Sequence, residues 1–276
     1  MARTARPRRT SAGDTRRRLS QNFLADPGAA RRVVRLSGIG PDDLVVEIGP
    51  GEGAITRFLV PAAGRVTAYE LDPRLADRLA ARYRGRPLRV VRADFTRSRP
   101  PRGPFAVVGN IPYARTADIV RWCLAARDLT RATLVTQLEY ARKRTGACGR
   151  WSRLTVLTWP EWSWSLAGRI DRDRFRPVPR VDAGILVLDR RARPLVAAER
   201  RAAYRHLVEL GFGGVGGSLG ASLRRAHPAR RVAAALRAAG VPPDAPVGTV
   251  SPDQWLTVFG VLDEGTNSVE EVLRSR

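Results

Sequence analysis

The chain has 276 residues, 43% of them hydrophobic, and carries 49 Lys and Arg against 26 Asp and Glu for a formal net charge of +23. That length buries a sizeable core and suits one large domain with a smaller companion. No apolar run approaches the roughly 20 residues of a membrane span, and the N-terminus lacks the apolar stretch of a secretory signal. A cytoplasmic location without membrane contact and a polyanionic partner are therefore expected.

An Arg-favouring genome accounts for Lys143 being the only lysine, but not for the excess of bases over acids. Cys123 and Cys148 are the only cysteines, and His206 and His227 the only histidines. They are too few and too scattered for a zinc site or a disulfide framework, so free thiols and no metal are expected.

In chain order, residues 1–18 come first, with seven arginines against Asp14 alone and hardly an apolar residue to bury. This segment is expected to be disordered when free. Removing its charge leaves the remainder strongly basic. From Leu44 short β-branched runs alternate with helical stretches, the pattern of a doubly wound parallel sheet. Strands are predicted at Leu44–Ile48, Val66–Leu71, Leu88–Ala93, Phe105–Val108 and Ala132–Thr136. The intervening helices are predicted at Ala54–Pro61, Pro73–Tyr83 and Thr116–Ala126. Runs at Leu154–Thr158 and Ala183–Leu188 predict a further antiparallel pair closing the sheet. Beyond Arg190 the strand signal stops. Arg200–Leu210, Ser218–Arg225, Arg230–Ala239 and Gln254–Leu262 read as helices, with glycine-rich Gly211–Gly217 as a loop. These boundaries give a basic tail over 1–18, a Rossmann-like domain over 19–190 and a small all-helical domain over 191–276.

Leu44-Val45-Val46-Glu47-Ile48 running into Gly49, Gly51 and Gly53 is a buried strand entering a tight turn, where missing Cβ atoms let a ligand touch the backbone. A dinucleotide fold is the competing reading, but its Gly-x-Gly-x-x-Gly spacing is broken here by Ala54. The compact glycines and the preceding acid favour S-adenosylmethionine, a cationic donor without phosphate. Glu70 ends the next strand, where a carboxylate can accept both ribose hydroxyls or stand as a solvated strand end. Asp94 closes the third strand, as an acceptor for an adenine amine or as a simple cap, with Phe95 placed to pack on that ring. Asn110-Ile111-Pro112-Tyr113 offers acceptors for an exocyclic amine and an aromatic platform for its ring. Methylating so poor a nucleophile requires both. Trp151, Trp159, Trp162 and Trp164, clustered beside predicted strands, read as core rather than as an RNA stacking surface.

These motifs, with Ser20-Gln21-Asn22-Phe23-Leu24 before them and Phe175-Arg176-Pro177-Val178-Pro179-Arg180-Val181-Asp182 after, stand in the order seen in ribosomal RNA adenine-N6 methyltransferases. From about Leu19 onward the chain most resembles the Erm family, which methylates adenine 2058 of 23S ribosomal RNA and confers macrolide, lincosamide and streptogramin B resistance. Ser20 and Ile111 distinguish it from the small-subunit 16S dimethyltransferase, which typically carries Gly and Leu there. Glu139–Gly146 and Gly149–Ser152 also resemble members from antibiotic-producing actinomycetes.

The resemblance implies a class I S-adenosylmethionine-dependent methyltransferase domain followed by a helical RNA-binding domain. It would act as a monomer on 23S ribosomal RNA, naked or in the assembling large subunit. Gln21, Asn22 and Leu24 would line the methionine end of the donor pocket. Gly49, Gly51, Glu70, Asp94 and Phe95 would hold the rest, with Asn110 shared between donor and acceptor. Asn110 would accept from the target amine within the acceptor-rich backbone it forms with Ile111 and Pro112, and Tyr113 would stack on the base. Phe175 resembles a second aromatic closing on the flipped base, although a core Phe beneath the loop fits the same motif. The rival readings are the 16S enzyme and a non-catalytic RNA-binding or transcription-factor relative.

Overall fold

The computed structural model describes residues 22–214 and 217–274. Gln21 and the basic segment 1–18 lie outside the described residues. The chain divides into two compact units. One takes the residues up to Leu138 together with Ala167–Val187, and the other takes Glu139–Leu166 together with the residues from Leu188 onward.

The first unit opens with β1 (Phe23–Leu24) and a helix, Pro27–Ser37, that the strand-and-helix alternation did not predict. Its signals are local. Asp26 caps the N-terminus by accepting from the Ala29 amide at 2.6 Å, a proline occupies the first turn, and Gly38 ends the helix at φ 62°. Ala30, Val33 and Val34 form its buried face, which joins a core with Leu59, Val66, Val108, Val135 and Ile185.

β2 (Leu44–Ile48), β3 (Arg65–Glu70), β4 (Leu88–Arg92), β5 (Phe105–Asn110) and β6 (Leu129–Gln137) lie within about three residues of their predicted spans. The seven-stranded sheet has the order β4-β3-β2-β5-β6-β9-β7, where β7 is Trp162–Ile170 and β9 is Ala183–Arg190. β2 pairs in parallel with β3 on one side and with β5 on the other, and β3–β4 and β5–β6 are parallel too. Strand order therefore reverses between β2 and β5. Beyond the carboxyl ends of those two strands lies the crevice in which such sheets bind ligands. A second, two-stranded sheet pairs β1 antiparallel with β8 (Phe175–Arg176). This is the class I, Rossmann-like arrangement with a helical complement.

Two expectations are corrected. Leu154–Thr158 is not a strand but lies in a helix, Arg153–Thr158, started by Ser152 accepting from the Thr155 amide. Its β-branched residues are overridden by tertiary packing. Val156 is buried in the second unit's core and its carbonyl accepts from the Tyr204 hydroxyl at 2.9 Å. The strand beside β9 is instead β7, with Trp162 and Trp164 buried two residues apart. Gly211 likewise does not begin a loop, because the helix Arg201–Phe212 continues through it. A Cβ there would lie 2.3 Å from the Trp255 ring, so this glycine permits close packing rather than a turn. The remaining helices of the second unit, Leu219–Leu223, Ala229–Ala238 and Pro252–Arg274, bury Leu219, Leu223, Val232, Leu236, Trp255 and Val258 around one core.

Candidate active site

β2 delivers Gly49 and β5 delivers Asn110 to the mouth of the crevice, in a register that sets Ile48 opposite Gly109. Side chains are sterically unwelcome on this floor. A Cβ on Gly109 would stand 2.7 Å from the Ile48 carbonyl oxygen. One on Gly51, at φ 57°, would stand 2.7 Å from the Phe23 ring. Two clefts open here. The first, about 400 Å³ with its mouth, is lined by Asn22, Phe23, Gly49, Gly51, Asn110, Ile111, Pro112 and Tyr113. The second, about 780 Å³ with its mouth, includes Gly49, Glu70, Leu71, Asp94, Phe95, Pro112 and Arg115 in its lining. A smaller recess beside the first is walled by Phe23, Leu24, Glu47 and Asn110, among others.

In the first cleft the Asn110 side-chain nitrogen donates to the backbone carbonyl of Asn22 at 2.7 Å. Only the nitrogen of an amide donates, so this bond assigns the orientation and leaves Oδ1 as an acceptor without a partner among the described residues. Ile111 is buried and its amide donates to the Val135 carbonyl, which holds the loop to β6. Tyr113 is half-buried. Its hydroxyl is shielded from solvent with no hydrogen-bond partner, and burial, assisted by Asp182, pushes it up to about 12. The ring lines the first cleft, and its hydroxyl makes no hydrogen bond among the described residues.

In the second cleft Glu70 is buried at the end of β3. One carboxylate oxygen accepts from the Gly51 amide at 3.0 Å and the other from the Asp72 amide at 2.9 Å. Burial raises its pKa against those hydrogen bonds. Each oxygen retains a lone pair for a ligand hydroxyl. Glu47 is buried more completely, with one oxygen bonded to the Thr56 hydroxyl at 2.8 Å and the other without a partner among the described residues. Desolvation, helped by the nearby Glu70, raises it to about 8. Asp94 caps the short turn Phe95–Arg97. Its Oδ1 accepts from the Thr96 amide and hydroxyl at 2.9 and 2.7 Å. Burial would raise this carboxyl, but the Thr96 bonds and the Arg115 guanidinium outweigh it and hold it below its usual range. Phe95 is buried against Trp122, ring centres 4.2 Å apart, with Tyr69 edge-on.

Asn22, Gly49, Gly51, Glu70, Asp94, Phe95, Asn110, Ile111, Pro112 and Tyr113 thus converge on the two clefts, and Leu24 walls the smaller recess. Phe175 does not join them. Its side chain is fully buried in the core and lines none of these openings, because β8 pairs it with Leu24 and turns it inward. This placement matches the core Phe beneath the loop that the same motif allows. Sequence reasoning missed Phe23 as the packing partner of Gly51, as well as Arg115, whose arginine signal is lost in so basic a chain.

Taken together, the two clefts combine a glycine-floored ligand crevice carrying a buried strand-end carboxylate with an oriented amide acceptor beside an aromatic face. A model of the ribosomal RNA adenine dimethylase family matches residues 13–264. The chain is similar to an rRNA adenine N-6-methyltransferase of Streptomyces fradiae, 55% identical over 250 residues, which covers 90% of this chain and 78% of that protein. It is 37% identical over 255 residues to the mycinamicin-resistance protein MyrB of Micromonospora griseorubida, covering 92% and 81%. Among solved structures, the 23S rRNA methyltransferase ErmE aligns with a TM-score of 0.86 at 51% identity, covering 88% of this chain and all of that one.

Proposed function

Because the chain belongs to the ribosomal RNA adenine dimethylase family, we propose that it methylates N6 of a single adenine, position 2058, of 23S ribosomal RNA, and thereby confers macrolide, lincosamide and streptogramin B resistance. It is an S-adenosylmethionine-dependent ribosomal RNA adenine methyltransferase. The single observation that carries the reading is the oriented Asn110 amide, whose nitrogen is tied to Asn22 so that Oδ1 remains for a target amine beside the Tyr113 ring. The choice of 23S is supported by the likeness to a 23S rRNA methyltransferase, and the resistance outcome by the likeness to a resistance protein.

The residues present fit the donor. Glu70 would take the ribose hydroxyls, Asp94 and Phe95 the adenine, and Asn22, Leu24, Gly49 and Gly51 the methionine end, where a Cβ on Gly51 would collide with the Phe23 ring. When bound, S-adenosylmethionine supplies an electrophilic methyl group on a cationic sulfonium. Asn110 Oδ1 accepts from the exocyclic amine, which fixes the direction of the nitrogen and stabilises positive charge as it develops there. Tyr113 offers its face to an adenine taken out of the stack, and Pro112, which lines both clefts, sets the distance between that ring and the donor. Catalysis by these residues is orientation and electrostatics rather than proton abstraction.

The test is methylation of naked 23S and 16S ribosomal RNA with radiolabelled donor, followed by primer extension. The reading expects incorporation into 23S alone, with one strong stop at adenine 2058. Incorporation into 16S would favour the small-subunit rival, and none into either would favour the non-catalytic one.

A further inference from the structure

Arg115 follows the catalytic loop by two residues, at the end of the short turn Tyr113–Arg115, where its amide donates to the Pro112 carbonyl at 2.9 Å. Its side chain reaches to the opposite corner of the second cleft. One terminal nitrogen donates to the Thr96 hydroxyl at 2.7 Å, and that hydroxyl in turn donates to Asp94 Oδ1 at 2.7 Å. Both terminal nitrogens face Asp94 Oδ2 at 3.4 and 3.5 Å. The remaining nitrogen is steadied by Asp118 at 3.2 Å, in the first turn of the following helix, Thr116–Ala125.

We infer that Arg115 is a positioning residue that ties the turn behind Asn110–Tyr113 to the Asp94–Thr96 corner, so that seating the donor's adenine and registering the acceptor loop are one event. The inference rests on the reading of the second cleft as the donor site. Two features carry it. Asp94 Oδ1 is consumed by Thr96, so Oδ2 is the oxygen left for a ligand amine, and Arg115 is the group that aims it. The Arg115 contacts to Oδ2 are long and loose, whereas its contact to Thr96 is short. The guanidinium therefore fixes the corner without saturating the acceptor. Removing it would free Asp94 Oδ2 to rotate and would release the loop from its only charged tie to that corner among the described residues. The lowered pKa of Asp94 agrees with an ionised acceptor held in this way.

Arg115→Ala, Arg115→Lys and Thr96→Val separate this from the other roles of a half-exposed arginine. Three quantities are measured on the full chain: S-adenosylmethionine affinity by calorimetry without RNA, turnover with both substrates saturating, and the salt dependence of the RNA KM. Arg115→Ala is expected to weaken donor binding roughly five- to tenfold and to lower turnover about tenfold even at saturating donor, with the salt slope unchanged. Arg115→Lys, which can still reach Thr96, should recover at least half of the donor loss on a logarithmic scale. Thr96→Val, which deletes the relaying hydroxyl at little volume cost, should weaken the donor about threefold and add little when combined with Arg115→Ala. That pair keeps the test sharp even where the alanine variant folds poorly.

Donor affinity and turnover within twofold of the parent in the Arg115 variants would overturn the inference. So would a salt slope reduced by about 0.7 to 0.9 with donor affinity intact, which marks a phosphate contact instead. A parent chain that binds no donor would sink the reading of the cleft and the inference with it. A parent that binds normally, with silent Arg115 variants, would sink the inference alone.

Discussion

Asn110→Ala removes two contacts that the structure assigns to different atoms of one side chain, so its effects should divide between two assays. The nitrogen's bond to the Asn22 carbonyl, 2.7 Å long and half-buried, steadies the strip that walls the donor side. An ordinary intramolecular hydrogen bond of that kind contributes about 0.5 to 1.5 kcal/mol, so donor affinity should fall by no more than about tenfold. The oxygen has no partner among the described residues and is the group proposed to meet the target amine. Loss of a comparably oriented hydrogen bond to a reacting group costs roughly 2.7 to 4 kcal/mol, or 10² to 10³ in turnover. Calorimetry with donor alone reads the first effect, and single-turnover methylation at saturating donor and RNA reads the second. Asn110→Asp keeps an acceptor but sets a carboxylate against the Asn22 carbonyl, so it should lose at least as much donor affinity as the alanine variant and less turnover. Turnover within twofold of the parent for Asn110→Ala would refute the acceptor role. A donor loss exceeding the turnover loss would show that Asn110 is part of the donor wall and no more.

Glu70→Ala should weaken S-adenosylmethionine binding without changing RNA affinity, because both of its oxygens face the glycine turn and the strand end; unchanged calorimetry would return it to a purely structural brace. Tyr113→Phe should retain nearly full turnover, since the hydroxyl has no partner to lose, whereas Tyr113→Ala should lose about 1 to 3 kcal/mol of base stacking; equal activities would exclude stacking. Glu47 binds its proton more tightly in the folded chain, at about 8, than unfolded, where its value is 4.5. The folded state therefore carries the extra proton between those values, and Glu47's contribution to stability should be full below 4.5 and decline as pH rises toward 8. Urea titrations from pH 5 to 8 should show that decline in the parent and a flatter profile in Glu47→Gln, and parallel profiles would place the ionised form in the fold.

The crevice was legible because its signals are local. A continuous apolar run such as Leu44–Ile48 can be a buried parallel strand, and positive-φ glycines with a strand-end acid at Glu70 follow from short-range sterics. What was not legible depends on partners distant in the chain. Leu154–Thr158 has strand-like residues, yet packing of Val156 in the helical unit decides for helix. The β7 signal lay in the alternation Trp162-Ser163-Trp164-Ser165, which reads equally as a tryptophan cluster. Phe175 sits in a recognisable motif, but whether it faces a ligand or the core depends on the pairing of β8 with β1, some 150 residues earlier in the chain. Arg115 could not be singled out among so many arginines without the three acceptors around it.

Gly49 and Pro112 each line both clefts, so these two residues form a boundary that the clefts share. A shared boundary couples the shapes of the two clefts. A change that reshapes it for a different base would alter the seat of the methyl donor at the same time. On the proposed assignment, a compound spanning this boundary would meet both the donor seat and the acceptor loop.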